Sequence, residues 1–89
     1  MTTLPPSQKL ALRNLAHMGA TARDVAAEAA EAGVSAVALT HLVRAGLAEK
    51  AIEKRPVGRH PQGRPAARVQ VTIYWLTDKG VATARSMDA

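Results

Sequence analysis

The sequence predicts a mainly α chain with one small antiparallel β-hairpin, an α+β fold in a single domain. Three observations carry this. Before residue 46, apolar residues recur at helical spacing in three short segments, each closed by a glycine. After Gly46 the period changes from helical to alternating. The alternating part is then split by a basic run from Arg55 to Pro65 that holds three prolines and two glycines, too irregular for a strand and too charged to be buried. These marks divide the chain into an arm over 1–7, three helices over 8–46, a hairpin over 47–76 and a closing helix over 77–87.

The elements follow in order. Pro5 and Pro6 stop any preceding element, and Ser7 offers an N-cap for a helix over 9–18, with Ala11, Leu12, Leu15 and Met18 as its apolar stripe. Arg13, Asn14 and His17 are expected to look outward. Thr21 and Asp24 have the spacing of a capping box, which opens an alanine-rich second helix over 22–31. Val25, Ala26, Ala29 and Ala30 are expected inside it, and Asp24, Glu28 and Glu31 outside. Ser35 caps a third helix over 36–45, burying Leu39, Leu42 and Val43 and ending at Gly46. Strands are expected over 47–54 and 68–75. In the second, Val69, Val71, Ile73 and Trp75 share one face, expected to be the core side, and Gln70, Thr72 and Tyr74 share the other. Thr77 caps the last helix, over 78–86.

Composition narrows the function. The 89 residues are 47% hydrophobic and 21% charged, which favours folding over disorder. With no Phe, one Trp and one Tyr, the core must be built from Leu, Val and Ala. The absence of Cys excludes disulfides, thiolate zinc sites and cysteine nucleophiles. No apolar run reaches the roughly 18 residues of a membrane span, and the first seven residues lack a signal pattern, so a soluble, cytoplasmic protein is expected. Abundant Ala and Arg fit a GC-rich coding sequence of a bacterium or phage.

The net charge of +5 is localised. Residues 50–68 hold Lys50, Lys54, Arg55, Arg59, Arg64 and Arg68 against Glu53 alone, and the rest of the chain is balanced. So concentrated an excess is the footprint of a polyanionic partner. Between the second and third helices lie only about four residues including Gly33, the signature of a helix-turn-helix.

Two strings then carry a family resemblance. Leu42-Val-Arg-Ala-Gly-Leu47 followed by Ala48, Glu49 and Lys50 resembles the end of the recognition helix and the start of the wing in multiple-antibiotic-resistance-type (MarR-like) regulators. Leu76-Thr-Asp-Lys-Gly80 resembles the Leu-Thr-x-x-Gly string with which such domains leave the wing. The likeness spans residues 9–86 and implies a winged helix-turn-helix DNA-binding domain, without the extra dimerisation helices of that family. It further implies a sequence-preferring double-stranded DNA binder, a small transcriptional regulator or repressor, nucleoid-associated when bound.

On that footing the third helix offers Ser35, Ala36, Val37, Thr40, His41 and Arg44 to the major groove. Thr40 and His41 supply hydrogen bonds there, Ala36 and Val37 apolar contact, and Arg44 a phosphate contact. The wing offers Lys54, Arg55, Arg59, His60, Arg64 and Arg68 to phosphates or the minor groove. Gly63, Arg64 and Pro65 resemble the core of an AT-hook, which lays an extended arginine in a narrow A·T minor groove. Thr21 and Arg23, at the start of the second helix, are placed to meet phosphate. A single such module covers about 600–1,000 Å² of DNA interface, so a homodimer is expected.

The three histidines lie on different elements without metal-ligand spacing, and no phosphate loop or nucleophile–base pair can be traced. No metal, cofactor or enzymatic activity is therefore expected. Three alternatives remain open: a winged-helix adaptor that binds protein, an accessory DNA-binding role in plasmid or phage replication, partition or excision, and RNA binding through the basic wing.

Overall fold

The structure, a computed structural model, describes residues 4–56 and 68–88. Helix α1 covers Pro6–His17 and is followed by a short 3-10 turn, Arg23–Val25. Strand β1 (Ala27–Glu28), helix α2 (Ala29–Ala32) and helix α3 (Ala36–Arg44) come next. Strands β2 (Ala48–Pro56) and β3 (Arg68–Leu76) then lead to helix α4 (Asp78–Asp88). Among the described residues the fold is thus α+β, four helices with a three-stranded antiparallel sheet in the order β1-β3-β2. None of these helices is long and apolar enough to cross a membrane.

Three helices and both long strands follow the sequence pattern. α1 begins earlier than expected: Pro6 sits in its first turn, where the missing amide is no loss, and no side chain caps it. Ala11, Leu12 and Leu15 are fully buried, but Met18 falls beyond the helix in the C-terminal turn and is 44% exposed. Asn14 does not look outward either. Its side-chain amide donates to the Ala32 carbonyl at 2.8 Å, tying α1 to the end of α2. At α3, the Ser35 hydroxyl accepts from the Ala38 amide at 3.2 Å, and Leu39 and Leu42 are fully buried.

The second helix is where the structure departs most from expectation. The predicted helix over 22–31 is replaced by the 3-10 turn, β1 and a single helical turn, α2. Alanine favours a helix locally, but Ala27 and Glu28 instead pair with Tyr74 and Ile73 of β3 and so satisfy an edge that a helix would leave open. Val25 is consequently 49% exposed and Ala30 is exposed, whereas Ala26, Ala27 and Ala32 are buried, their small side chains suiting close approach to the sheet. The capping box also moves. Thr21 makes no cap, and Glu28 and Glu31 form the box reciprocally at α2, Glu31 accepting from the Glu28 amide at 3.1 Å.

The face of β3 also differs from expectation. Tyr74 and Leu76 belong to the main core with Leu12, Leu15, Leu39 and Leu42, while Val69 is 44% exposed and Trp75 is half-buried. Ile73, completely buried, lies on the opposite face beside Ala51 and Glu28. β3 is the central strand near its C-terminal end and is covered on both sides there, so alternation alone does not tell which face meets the helices.

The two strings from the family resemblance meet in space. Gly46 ends α3 with φ +76°, a conformation that L side chains rarely adopt. The Thr77 hydroxyl donates to the Gly46 carbonyl at 2.7 Å, the Thr77 amide to the Leu47 carbonyl at 3.1 Å, and the Gly80 amide to the Thr77 hydroxyl oxygen at 3.1 Å. Threonine therefore caps α4 and fastens it to the α3–β2 turn at once. A Cβ on Gly80 would overlap the Leu47 carbonyl oxygen, backbone that cannot swing away. Gly80→Ala should therefore lower stability by about 1–3 kcal/mol in urea denaturation. A loss below about 0.5 kcal/mol, the usual range for an innocuous surface change, would show that the close approach is not required.

Candidate nucleic-acid interface

α3 presents two unlike faces because its apolar residues follow the helical period. Ala38, Leu39 and Leu42 pack inward, while Ala36, Val37, His41 and Arg44 are exposed, Val37 at 67%. Thr40 is half-buried, and its hydroxyl donates to the Ala36 carbonyl at 2.9 Å, which commits its only proton. Ser35 is exposed at the helix start. His41 and Arg44 lie in the last turn, where positive charge complements the helix dipole, and the Lys79 ammonium approaches the Ala45 carbonyl at 3.4 Å.

The hairpin leaves α3 through the turn Ala45–Gly46–Leu47. Directly opposite residues of β2 and β3 share a face, so the register sorts the charges. Lys50, Ile52 and Lys54 stand on one face opposite Tyr74, Thr72 and Gln70, and all three are exposed. Glu53 and Arg55 stand on the other, opposite Val71 and Val69. Arg68 opens β3 across from Pro56. Arg59, His60 and Arg64 lie outside the described residues.

Arg55 differs most from its sequence reading. It is not an open cation. One guanidinium nitrogen lies 2.8 Å from Glu31 and 3.5 Å from Glu28, Nε lies 3.1 Å from Glu53, and Nη2 donates to the Ala26 carbonyl at 3.2 Å. Its side chain is 29% exposed. The hydrogen bond to Glu53, followed by the charge and hydrogen bond of Glu31, raises the Arg55 pKa. The Glu31 carboxyl is held below its ordinary value of 4.5, first by the Glu28 amide and then by the Arg55 charge. The far end of β2 is thereby tied to β1 and α2 by a four-residue ionic network, whose Glu28 lies opposite the buried Ile73. The strand expected over 47–54 left Arg55 in the basic loop, whereas β2 runs on to Pro56 and places Glu53 and Arg55, two apart, on one face. The Glu28 and Glu31 contribution was hidden by their assignment to the outer face of a helix that does not form.

Thr21 and Arg23 are exposed, but they do not open the second helix. α2 begins several residues later, and its first amides are capped by the Glu28 and Glu31 carboxylates, an arrangement that repels phosphate rather than holding it. Lys50 and Ile52 complete an exposed cationic and apolar strand face that was not among the expected site residues. Among the described residues, no group of His, Asp or Glu is disposed to hold a metal ion.

Comparison with known proteins adds no relative: no protein-family model, no curated protein and no solved structure matches the chain.

The ionic network predicts a pH dependence of stability. A carboxyl whose pKa is depressed on folding contributes stability that is fully present above its unfolded value and lost as pH falls through the folded one. Arg55→Met should cost about 1 kcal/mol at neutral pH, modest because the groups are partly solvated. The difference from the wild type should shrink as pH drops below the ordinary Glu31 value of 4.5. Thermal melts over the acid range check this, and a difference independent of pH would contradict it.

Proposed function

We propose that the chain is a winged helix-turn-helix protein that binds double-stranded DNA and acts as a small transcriptional regulator. It would occupy an operator and so exclude polymerase or a competing factor. In this reading α3 enters the major groove and the hairpin is the wing, its cations meeting phosphates or the minor groove. One observation carries it: the whole net charge of +5 falls in residues 50–68, on a hairpin that follows α3 directly. The three-residue turn Gly33–Val34–Ser35 between α2 and α3, and the exposed stripe of α3, support it further. Phosphate contacts fall to Lys50, Lys54 and the cations at 59, 64 and 68, since Arg55 is already matched by carboxylates.

Such binding is driven by counterion release. Engaging about four to six phosphates gives a slope of log K against log salt near −4 to −5. Lys54→Ala should weaken binding on all duplexes and reduce the slope by about 1. Fluorescence anisotropy with duplex DNA at several salt concentrations measures both. Salt-independent binding, or none to any duplex, would rule the reading out.

A second reading has one observation in its favour. Val37 and Ile52, 67% and 65% exposed, are apolar side chains beside cations and would suit an acidic protein partner. In the DNA reading the protein works as a homodimer, because one module covers too little DNA for high occupancy. Light scattering at high micromolar concentration should give a dimeric mass, and a monomeric mass would contradict that arrangement.

A further inference from the structure

We propose that the first turns of α3 read 5-methyl groups of pyrimidines in the major groove, with Val37 as the residue that sets this preference. The inference rests on the DNA-binding reading and names what that surface selects. Bases offer a limited set of features there. Guanine is matched by Arg or Lys, adenine by Asn or Gln, cytosine by Asp or Glu, and the methyl of thymine by an apolar side chain. The exposed positions of the first turns are Ala36 and Val37, with Thr40 half-buried beside them. Neither Ala36 nor Val37 carries a polar side-chain atom. Thr40 has spent its proton on the Ala36 carbonyl at 2.9 Å, so it brings a methyl and lone pairs but no donor. Side-chain donors stand at the cap, Ser35, whose oxygen already accepts from the Ala38 amide, and farther along at His41 and Arg44.

Among the described residues Val37 is the most exposed of the large apolar side chains, at 67%, and lies one helical turn from His41 and two from Arg44 on the same stripe. An isolated exposed valine is unremarked on most surfaces. Here it occupies the part of the helix that comes closest to base edges in helix-turn-helix complexes, flanked by Ser35 at the cap and His41 one turn on. Its β-branched side chain is held to one favoured rotamer in a helix, so its two methyls are presented with little entropy left to lose on contact. The chemical group recognised is common to thymine and 5-methylcytosine.

The experiment compares four duplexes at one salt concentration: alternating A·T, the same with deoxyuridine for thymidine, alternating G·C, and the same with 5-methylcytosine. Removing the thymine methyl should weaken wild-type binding about three- to tenfold, and adding a methyl to cytosine should tighten it by a similar factor. If only the thymine arm responds, the shared-methyl recognition is wrong. Val37→Ala, at an exposed position that leaves the core intact, should lose most of the discrimination, the ratio of A·T to A·U affinity falling towards one. Equal wild-type affinity for the A·T and A·U duplexes overturns the inference while leaving DNA binding in place, as does an unchanged ratio in Val37→Ala. Absence of binding to all four overturns it together with the DNA-binding reading.

Discussion

The carbonyl of Leu47 is the point at which this small fold is closed. It accepts the Thr77 amide at 3.1 Å and lies against Gly80, while the neighbouring Gly46 carbonyl takes the Thr77 hydroxyl at 2.7 Å. One residue farther back, the Leu76 amide donates to the Ala20 carbonyl at 2.8 Å, so the exit of α1 joins the same knot. The end of α3, the start of β2, the end of β3 and the start of α4 are therefore fixed by a few backbone groups. That constraint sets the direction in which the hairpin leaves α3. With a core made largely of Leu and Ala, side-chain volume leaves little to absorb an error there, and hydrogen bonds of fixed geometry supply the definition that bulky aromatics supply elsewhere.

β3 distributes the consequences. Tyr74 and Leu76 send its core face into the helices, whereas Ile73 on the other face is sealed beside the Arg55 network. The ionic network does on the outer face what packing does on the inner one. It holds β1 and α2 to the far end of β2, at a modest gain because the groups remain partly solvated. The same pairing divides the hairpin electrically. Lys50 and Lys54 stay open on one face, and Arg55 is neutralised on the other.

Much of this was legible in the sequence where local signals decide. Helical spacing over α1 and α3, Ser35 and Thr77 as caps, and alternation after Gly46 rest on contacts within a few residues, and these elements lie where the pattern puts them, their ends shifting by at most three residues. The alanine-rich segment 22–31 was not legible, because its helical propensity is local and its pairing with Tyr74 and Ile73 is not. The inward face of β3 was misread for a related reason: Tyr74 looks polar beside Ile73, yet both are buried. In the candidate site, the exposed stripe of α3 followed from its period. The fate of Arg55 did not, since Glu28 and Glu31 reach it only after the second helix has been replaced by β1. The count of cations in a sequence segment measures its charge, not how much of that charge is open to a partner.

In the proposed reading one surface, α3 together with the open face of the hairpin, meets a duplex as a unit. Titrating the nitrogen-15-labelled protein with duplex DNA tests this most directly, by recording which backbone amides shift. Perturbations should concentrate in residues 35–44 and in the hairpin from Lys50 onward, leaving the amides of α1 and the C-terminal half of α4 near their free positions. Shifts centred on α1 and α4, or none at a large excess of duplex, would contradict it.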